Sequence, residues 1–462
     1  MAKDIKGTTR VCGLIGNPVH HTMSPAIHNT LNELTDTDMV YVPFEVKEND
    51  VEAAIRGALA LDLLGLNVTI PHKSAVIPHL KEIDDVAGRI GAVNTLVRTA
   101  DGTGFKGYNT DYTGLLRSLQ EKNTNLAGES VVILGAGGVA RPAAFLCANE
   151  GAKEIFVLNR TFERAEQLCS DVNTYAGKEL AIPMELSAYK ELPVDRKYIC
   201  LQMTQVGLYP DSDKAVIEDP EFYKMVKIGF DAVYRPLTTR FLQYCRDAGA
   251  VCVSGLKMLL YQGVDAYEKW NNITVSPKEC EFVYGKLLSE LLEGRNIVLT
   301  GFMGSGKSSV GKELCRILGY EMIDTDAEIE KEQNTSISQI FDTLGEEAFR
   351  DMETDYVKRL SEGQRSRTLL SVGGGLPVRE ENRRYLHEFG AVIFLKATPE
   401  TVYDRVKDDD SRPLLRAEDV LERIKEIQEQ RRPVYSAAAD IEIDTDSKSL
   451  NDIASEIIEM LL

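Results

Sequence analysis

VVILGAGGVARPAAFLC, residues 131–147, decides the fold of the first half of this chain. An aliphatic run gives way at once to glycine, and the glycines give way to a helical pattern of small and apolar residues. A strand that stops in a tight turn and re-enters as a helix is the building unit of a parallel α/β sheet. Gly135, Gly137 and Ala140 stand in G-x-G-x-x-G/A spacing, with Ala136 and Gly138 filling the turn. Glycines there let the turn tighten and let a pyrophosphate approach the amides at the helix N-terminus. About 20 residues on, an enzyme using the unphosphorylated dinucleotide places an acid for the ribose 2′-hydroxyl. Here the sequence reads Asn159, Arg160, Thr161 and then Arg164. Guanidinium groups suit a 2′-phosphate, so the expected cofactor is NADP(H).

Outward from this stretch, short apolar runs alternate with helical patterns almost throughout, as in EIFVLN (154–159), RNIVLTG (295–301) and AVIFLKA (391–397). A second glycine cluster, Gly301–Gly306, follows the second of these runs. One chain thus carries two strand-glycine-helix phosphate sites. Between them EFVYGKLLSELLEG (281–294) reads as an amphipathic helix stopped by a glycine C-cap. The expected domains are 1–293, with a substrate part over about 1–115 to which 255–293 returns and a Rossmann part over about 116–254, and then 294–462. No Pro- or Ser-rich linker separates the halves.

The 462 residues exceed one ordinary domain, and 43% hydrophobic with 27% charged residues is a globular balance. A net charge of −19 repels nucleic acid and confines the cations that hold anionic ligands to a few local positions. Residues 1–10 carry Lys3, Asp4, Lys6 and Arg10 and so lack a signal-peptide core. No apolar run approaches the roughly 18 residues that cross a bilayer. The eight cysteines are scattered without a CxxC pair, which predicts buried thiols and a cytoplasmic protein. Oligomeric state stays open.

The residues before the dinucleotide turn are polar in an unusual way. GNPVHHTMSPAIHN (16–29) combines hydroxyls and imidazoles, GLNVTIPHK (65–73) ends an apolar run in lysine, and GAVNT (91–95) and GYNTD (107–111) add Asn94 and Asp111. An NTD triplet alone is a common helix cap. Together these segments supply a lysine, a carboxylate and neutral hydrogen-bonding groups, which is what orienting a polyhydroxy acid requires.

With DAVYRPLTTRFL (231–242) and GLKMLLYQ (255–262), these motifs resemble, in order, the shikimate dehydrogenase family over residues 1–293. The resemblance implies reduction of 3-dehydroshikimate to shikimate by NADPH. It makes Lys73 and Asp111 the catalytic pair and assigns the substrate carboxylate to Thr22 and Ser24, with Tyr234 assisting. It implies that Asn94 and Gln262 hold ring hydroxyls, that Thr69 joins the substrate site, and that Met203 and Gly255 lie at the nicotinamide. Thr22 stands where the family usually has serine, so quinate stays open as a second substrate. His20, His21 and His28 lack a carboxylate spacing for a metal and are expected in structural or substrate-shell roles.

GFMGSGKS (301–308) matches G-x-x-x-x-G-K-[ST] in full. Its amides cradle phosphates, Lys307 reaches the β- and γ-phosphates and Ser308 can ligate Mg²⁺. Gly301, Gly304, Ser305, Gly306, Lys307, Ser308 and Ser309 are the expected ATP contacts. MIDTDAEIE (322–330), GEEAFRDME (345–353), SVGGGLP (371–377), SRPLL (411–415) and QRRPVY (430–435) follow. This set resembles shikimate kinase over about 295–462. The resemblance implies Asp326 as base at the acceptor hydroxyl and Arg350 and Arg431 on the shikimate carboxylate. It puts Gly373, Gly374 and Gly375 against the ring, Arg412 in a closing lid on the transferring phosphoryl group, and Asp324 at Mg²⁺ through water.

The expectation is an α/β chain with three parts: an α/β substrate domain, a Rossmann NADP-binding domain and a P-loop kinase domain with a parallel sheet. The product of the first implied reaction is the substrate of the second. Two rivals stay open, an enzyme acting mainly on quinate and a regulatory sensor that has lost catalysis.

Overall fold

The computed structural model describes residues 5–407 and 419–462. They divide into two compact units between Leu287 and Leu288, within the helix Pro277–Leu291.

The first unit holds two sheets. β1 (Arg10–Gly16), β2 (Met39–Glu45), β3 (Gly65–Val68), β4 (Glu82–Ile83), β5 (Thr95–Arg98) and β6 (Phe105–Tyr108) form the first. Its order is β2-β1-β3-β5-β6-β4, parallel around β1 and antiparallel from β3 to β5 and from β5 to β6. β7 (Ser130–Leu134), β8 (Glu154–Asn159), β9 (Ala181–Glu185), β10 (Tyr198–Gln202), β11 (Val226–Asp231) and β12 (Val251–Ser254) form the second. Every pairing in it is parallel, in the order β12-β11-β10-β7-β8-β9. That is the doubly wound order, which reverses between β7 and β10 and opens a crevice at their C-terminal ends.

The apolar run of β7 has its physical cause in this arrangement. Val131 and Ile133 enter one core while Val132 and Leu134 enter the other, because successive side chains point to opposite faces. A strand covered on both sides shows no polar alternation. Two helices, Thr110–Gln120 and Gly255–Asn271, pack together beside the sheets. Gly114 permits the approach: a side chain there would stand 2.8 Å from Gln262 N and Met258 O. The second helix thereby returns Gln262 to the substrate side.

The second unit is one parallel sheet. β13 (Ile297–Thr300), β14 (Glu321–Asp324), β15 (Thr368–Ser371), β16 (Ala391–Lys396) and β17 (Ile441–Asp444) take the order β14-β15-β13-β16-β17. β13 lies at the centre, buried along its whole length, and runs into the glycine loop and the helix Lys307–Leu318. Among the described residues no helix is long and apolar enough to cross a membrane.

Candidate active sites

In the first unit, β3 ends at Val68 and a turn delivers Lys73. The turn is held by His72, whose buried ring meets Val46 O at 2.7 Å. Lys73 O accepts from Val93 N. Asn109 caps the helix Thr110–Gln120 by accepting from Tyr112 N, and Asp111, 38 residues after Lys73, sits in its first turn. Lys73 Nζ donates to Asp111 Oδ2 at 2.7 Å, with both side chains mostly buried. The NTD triplet is therefore both a cap and a site.

Asn94 Oδ1 accepts from Thr110 N at 2.7 Å, which commits its oxygen to the protein and leaves its amide nitrogen to donate to a ligand. Thr22 Oγ1 lies 3.2 Å from Ser24 Oγ. These groups surround a cavity of about 370 Å³ that Thr22, Ser24, Thr69, Lys73, Asn94, Asp111, Tyr234, Gly255 and Gln262 all line. Burial pushes the Tyr234 phenol up.

The cavity also reaches residues that the sequence did not single out. Asn67 lines it, donates to Thr95 Oγ1 at 3.0 Å and accepts from Tyr41 OH at 2.8 Å. His28 Nε2 meets the same Asn67 oxygen at 3.1 Å, and burial lowers its pKa to about 3. His28 is therefore neutral and structural. His20 pairs with Glu45 at the surface, whereas His21 lines the cavity. Among the described residues no group of three His, Cys, Asp or Glu is arranged for a metal.

At the sheet crevice, Gly135 has φ +110°, and a side chain on it would stand 2.8 Å from Thr204 Cγ2 and 3.1 Å from Met203 O. That close packing requires glycine. The space above Gly137 and Gly138 is open, before the helix Ala140–Asn149 that Ala136 packs beneath. Asn159 Nδ2 donates to Thr161 O and shapes the following turn. Arg160 and Arg164 are exposed, and neither makes an ion pair among the described residues. An open glycine turn beside two uncommitted guanidinium groups fits a dinucleotide carrying a 2′-phosphate.

In the second unit, Gly301 has φ +147°, and a side chain there would stand 2.6 Å from Leu395 O. Lys307 Nζ bridges the loop to Gly301 O at 2.9 Å and Phe302 O at 3.1 Å. Gly304 and Gly306 turn the loop, Ser305 Oγ is buried without a partner, and Ser308 and Ser309 are exposed at the helix start. A loop with its amides and lysine gathered at one helix N-terminus fits a polyphosphate. Asp324 Oδ1 caps the helix Thr325–Gln333 by accepting from Asp326 N.

Asp326 Oδ1 is buried and unpartnered. Burial first, and then the Asp324 charge, push its carboxyl up, while Lys307 and Arg350 pull it down. Gly373 lies against that oxygen, and Gly375 lies against the Arg350 guanidinium. A side chain at either position would fill the space beside these groups. Arg431 Nη1 donates to Gly374 O at 3.4 Å, and Tyr435 OH donates to the same oxygen at 2.6 Å.

Glu353 is a further member. Arg350 Nη1 donates to Glu353 Oε2 at 2.6 Å, while Glu353 Oε1 is buried and unpartnered. Burial pushes its carboxyl up to about 7 against the pull of Arg350. The three-residue helical spacing from Arg350 was the available signal. Arg412 lies outside the described residues.

The folds and sites define a class: a dinucleotide-dependent oxidoreductase joined to a P-loop kinase. Comparison with known proteins narrows it. The family models for the shikimate dehydrogenase substrate binding domain, for shikimate / quinate 5-dehydrogenase and for shikimate kinase match residues 14–96, 117–189 and 303–462. The NADP(+) shikimate dehydrogenase of Methanothermobacter thermautotrophicus is 42% identical over 268 residues, 58% of this chain and 92% of its own. A shikimate dehydrogenase crystallised with NADP+ is 34% identical with a TM-score of 0.56, over 62% of this chain and 97% of its own. A Corynebacterium glutamicum quinate dehydrogenase in complex with NAD is 27% identical with a TM-score of 0.56, over 61% and 99%. The chain belongs to the shikimate dehydrogenase family. With the shikimate kinase domain that follows, it is a bifunctional shikimate-pathway enzyme.

Proposed function

We propose that the first unit reduces 3-dehydroshikimate to shikimate with NADPH and that the second phosphorylates shikimate to shikimate 3-phosphate with ATP and Mg²⁺. NADPH supplies a hydride and ATP its γ-phosphoryl group. In the first site Thr22, Ser24 and Tyr234 bind the substrate carboxylate, and Asn94 and Gln262 fix ring hydroxyls. As the ketone carbon takes up the hydride, its oxygen becomes an alkoxide to which Lys73 Nζ gives a proton. Asp111 holds the ammonium in place. Arg160 and Arg164 hold the 2′-phosphate, with Asn159 and Thr161 shaping their turn, and Met203 and Gly255 flank the nicotinamide.

In the second site Arg350 and Arg431 clamp the shikimate carboxylate while Gly373, Gly374 and Gly375 admit the ring. Asp326 accepts the hydroxyl proton as the oxygen attacks phosphorus. Lys307 and the loop amides hold the phosphates, and Ser308 directly and Asp324 through water would hold Mg²⁺, which would neutralise phosphate charge. All substrates are small molecules, and eight cysteines that form no disulfide suit the reducing cytoplasm.

The carrying observation is the Lys73–Asp111 pair opening on a hydroxyl- and amide-lined cavity, in a chain whose second unit holds Asp326 unpartnered near a complete phosphate loop. A single coupled assay with 3-dehydroshikimate, NADPH and ATP-Mg²⁺ tests it. One shikimate 3-phosphate should form per NADPH oxidised. NADPH oxidation without phosphorylated product, or none at all, contradicts it.

A further inference from the structure

β10 and β11 end in register on Gln202 and Asp231, both fully buried. The Asp231 carboxylate accepts three hydrogen bonds, from Thr239 Oγ1 at 2.5 Å, Val233 N at 2.9 Å and Gln202 Nε2 at 3.1 Å. Each donor belongs to a different segment. Gln202 extends the network, because its Oε1 accepts from Thr204 N at 2.5 Å and its Nε2 also donates to Val206 O at 3.1 Å. Thr239 caps the helix Arg240–Asp247, accepting from Leu242 N.

This network ends at both ligand surfaces of the dehydrogenase. Met203 packs against Gly135 beside the pinned turn at 204–206. Ala232 and Tyr234 flank the pinned amide of Val233 and line the substrate cavity, which Asp231 itself does not. A residue that merely filled this volume would be apolar, since an acid in such a place is costly. Burial pushes the Asp231 carboxyl up to about 7 even with three donors around it.

We propose that Asp231 is a positioning residue for hydride transfer, fixing the nicotinamide-side turn at 203–206 and the substrate-side segment 232–234 in one mutual register. It touches neither ligand. The proposal rests on the dehydrogenase reading above. Asp231→Asn keeps the shape and the acceptor for Gln202 and Val233 but presents an amide to Thr239, whose hydroxyl must then turn from donor to acceptor, so that tie loses its charge and its geometry. Misplacing reacting groups by an ångström can cost on the order of 10²-fold in rate.

The test is steady-state kinetics on the full chain with 3-dehydroshikimate and NADPH, including NADPH deuterated at the transferred position. For Asp231→Asn the dehydrogenase kcat should fall roughly 10- to 100-fold. Both KM values should stay within about threefold of wild type, and the deuterium effect on kcat should rise as the chemical step becomes limiting. Phosphorylation of supplied shikimate by the same preparation should be unchanged, which reports an intact chain. Gln202→Met, which cuts the links to Thr204 and Val206 and the Gln202 tie to Asp231 but leaves Val233 and Thr239 on the carboxylate, should show the same split and serves if the Asp231 variant does not fold. An unchanged kcat in the folded variant, or a loss carried by KM with no rise in the isotope effect, overturns the positioning role. A wild-type chain that does not oxidise NADPH with this ketone overturns the dehydrogenase reading as well.

Discussion

Lys73 Nζ lies 2.7 Å from Asp111 Oδ2 across a separation of 38 residues, in a cavity whose other polar side chains are hydroxyls, amides and the His21 ring. The geometry gives the lysine a fixed direction beside the carboxylate.

Replacing Lys73 by alanine should therefore lower dehydrogenase turnover by roughly the 10²–10⁴-fold typical of a positioned acid or base. NADPH should still bind, as a fluorescence titration of the variant would show. Near-normal turnover would return the pair to a structural ion bridge.

Arg160 and Arg164 stand exposed beyond β8 without ion-pair partners among the described residues. If they grip the 2′-phosphate, NADPH should be preferred to NADH by at least the ~1.5–3 kcal/mol of a charged hydrogen bond. Arg160→Ala should shrink that preference chiefly through the KM for NADPH. Wild-type rates and KM values that are equal for the two cofactors would contradict the assignment.

The kinase should show an acid limb displaced upward. In its proposed role as base Asp326 must be ionised, and burial first, then the Asp324 charge, raises its carboxyl from the ordinary aspartate value. Glu353, raised to about 7, titrates in the same pocket, so the limb belongs to the interacting pair. Kinase kcat/KM for shikimate should fall as pH drops through that pKa, well above the ~3.9 of a free aspartate. A profile flat down to pH 4 would show that neither acid controls the step.

Much of this was legible in the sequence because it is local. The strand-glycine-helix stretches at 131–147 and 295–308 each contain their own strand, turn and helix start, and β7 and β13 lie where the apolar runs stand. Buried partnerships between distant segments were not legible. Asn67 stood unremarked within GLNVTIPHK, Glu353 looked like one more acid on an amphipathic helix, and Asp231 was a letter in DAVYRP. Each acquires a role from a neighbour that only the fold supplies: Tyr41 and His28 for Asn67, the nearby charge of Asp326 for Glu353, and Thr239 and Gln202 for Asp231.

The central claim, that one chain runs two successive steps at two separate sites, is tested most directly by Asp326→Asn in the coupled assay with 3-dehydroshikimate, NADPH and ATP-Mg²⁺. Each unit holds its own phosphate loop and core, so NADPH oxidation should continue at the wild-type rate while shikimate accumulates unphosphorylated. A folded Asp326→Asn chain that still makes shikimate 3-phosphate at the wild-type rate, or that loses most of its NADPH oxidation as well, would contradict the account.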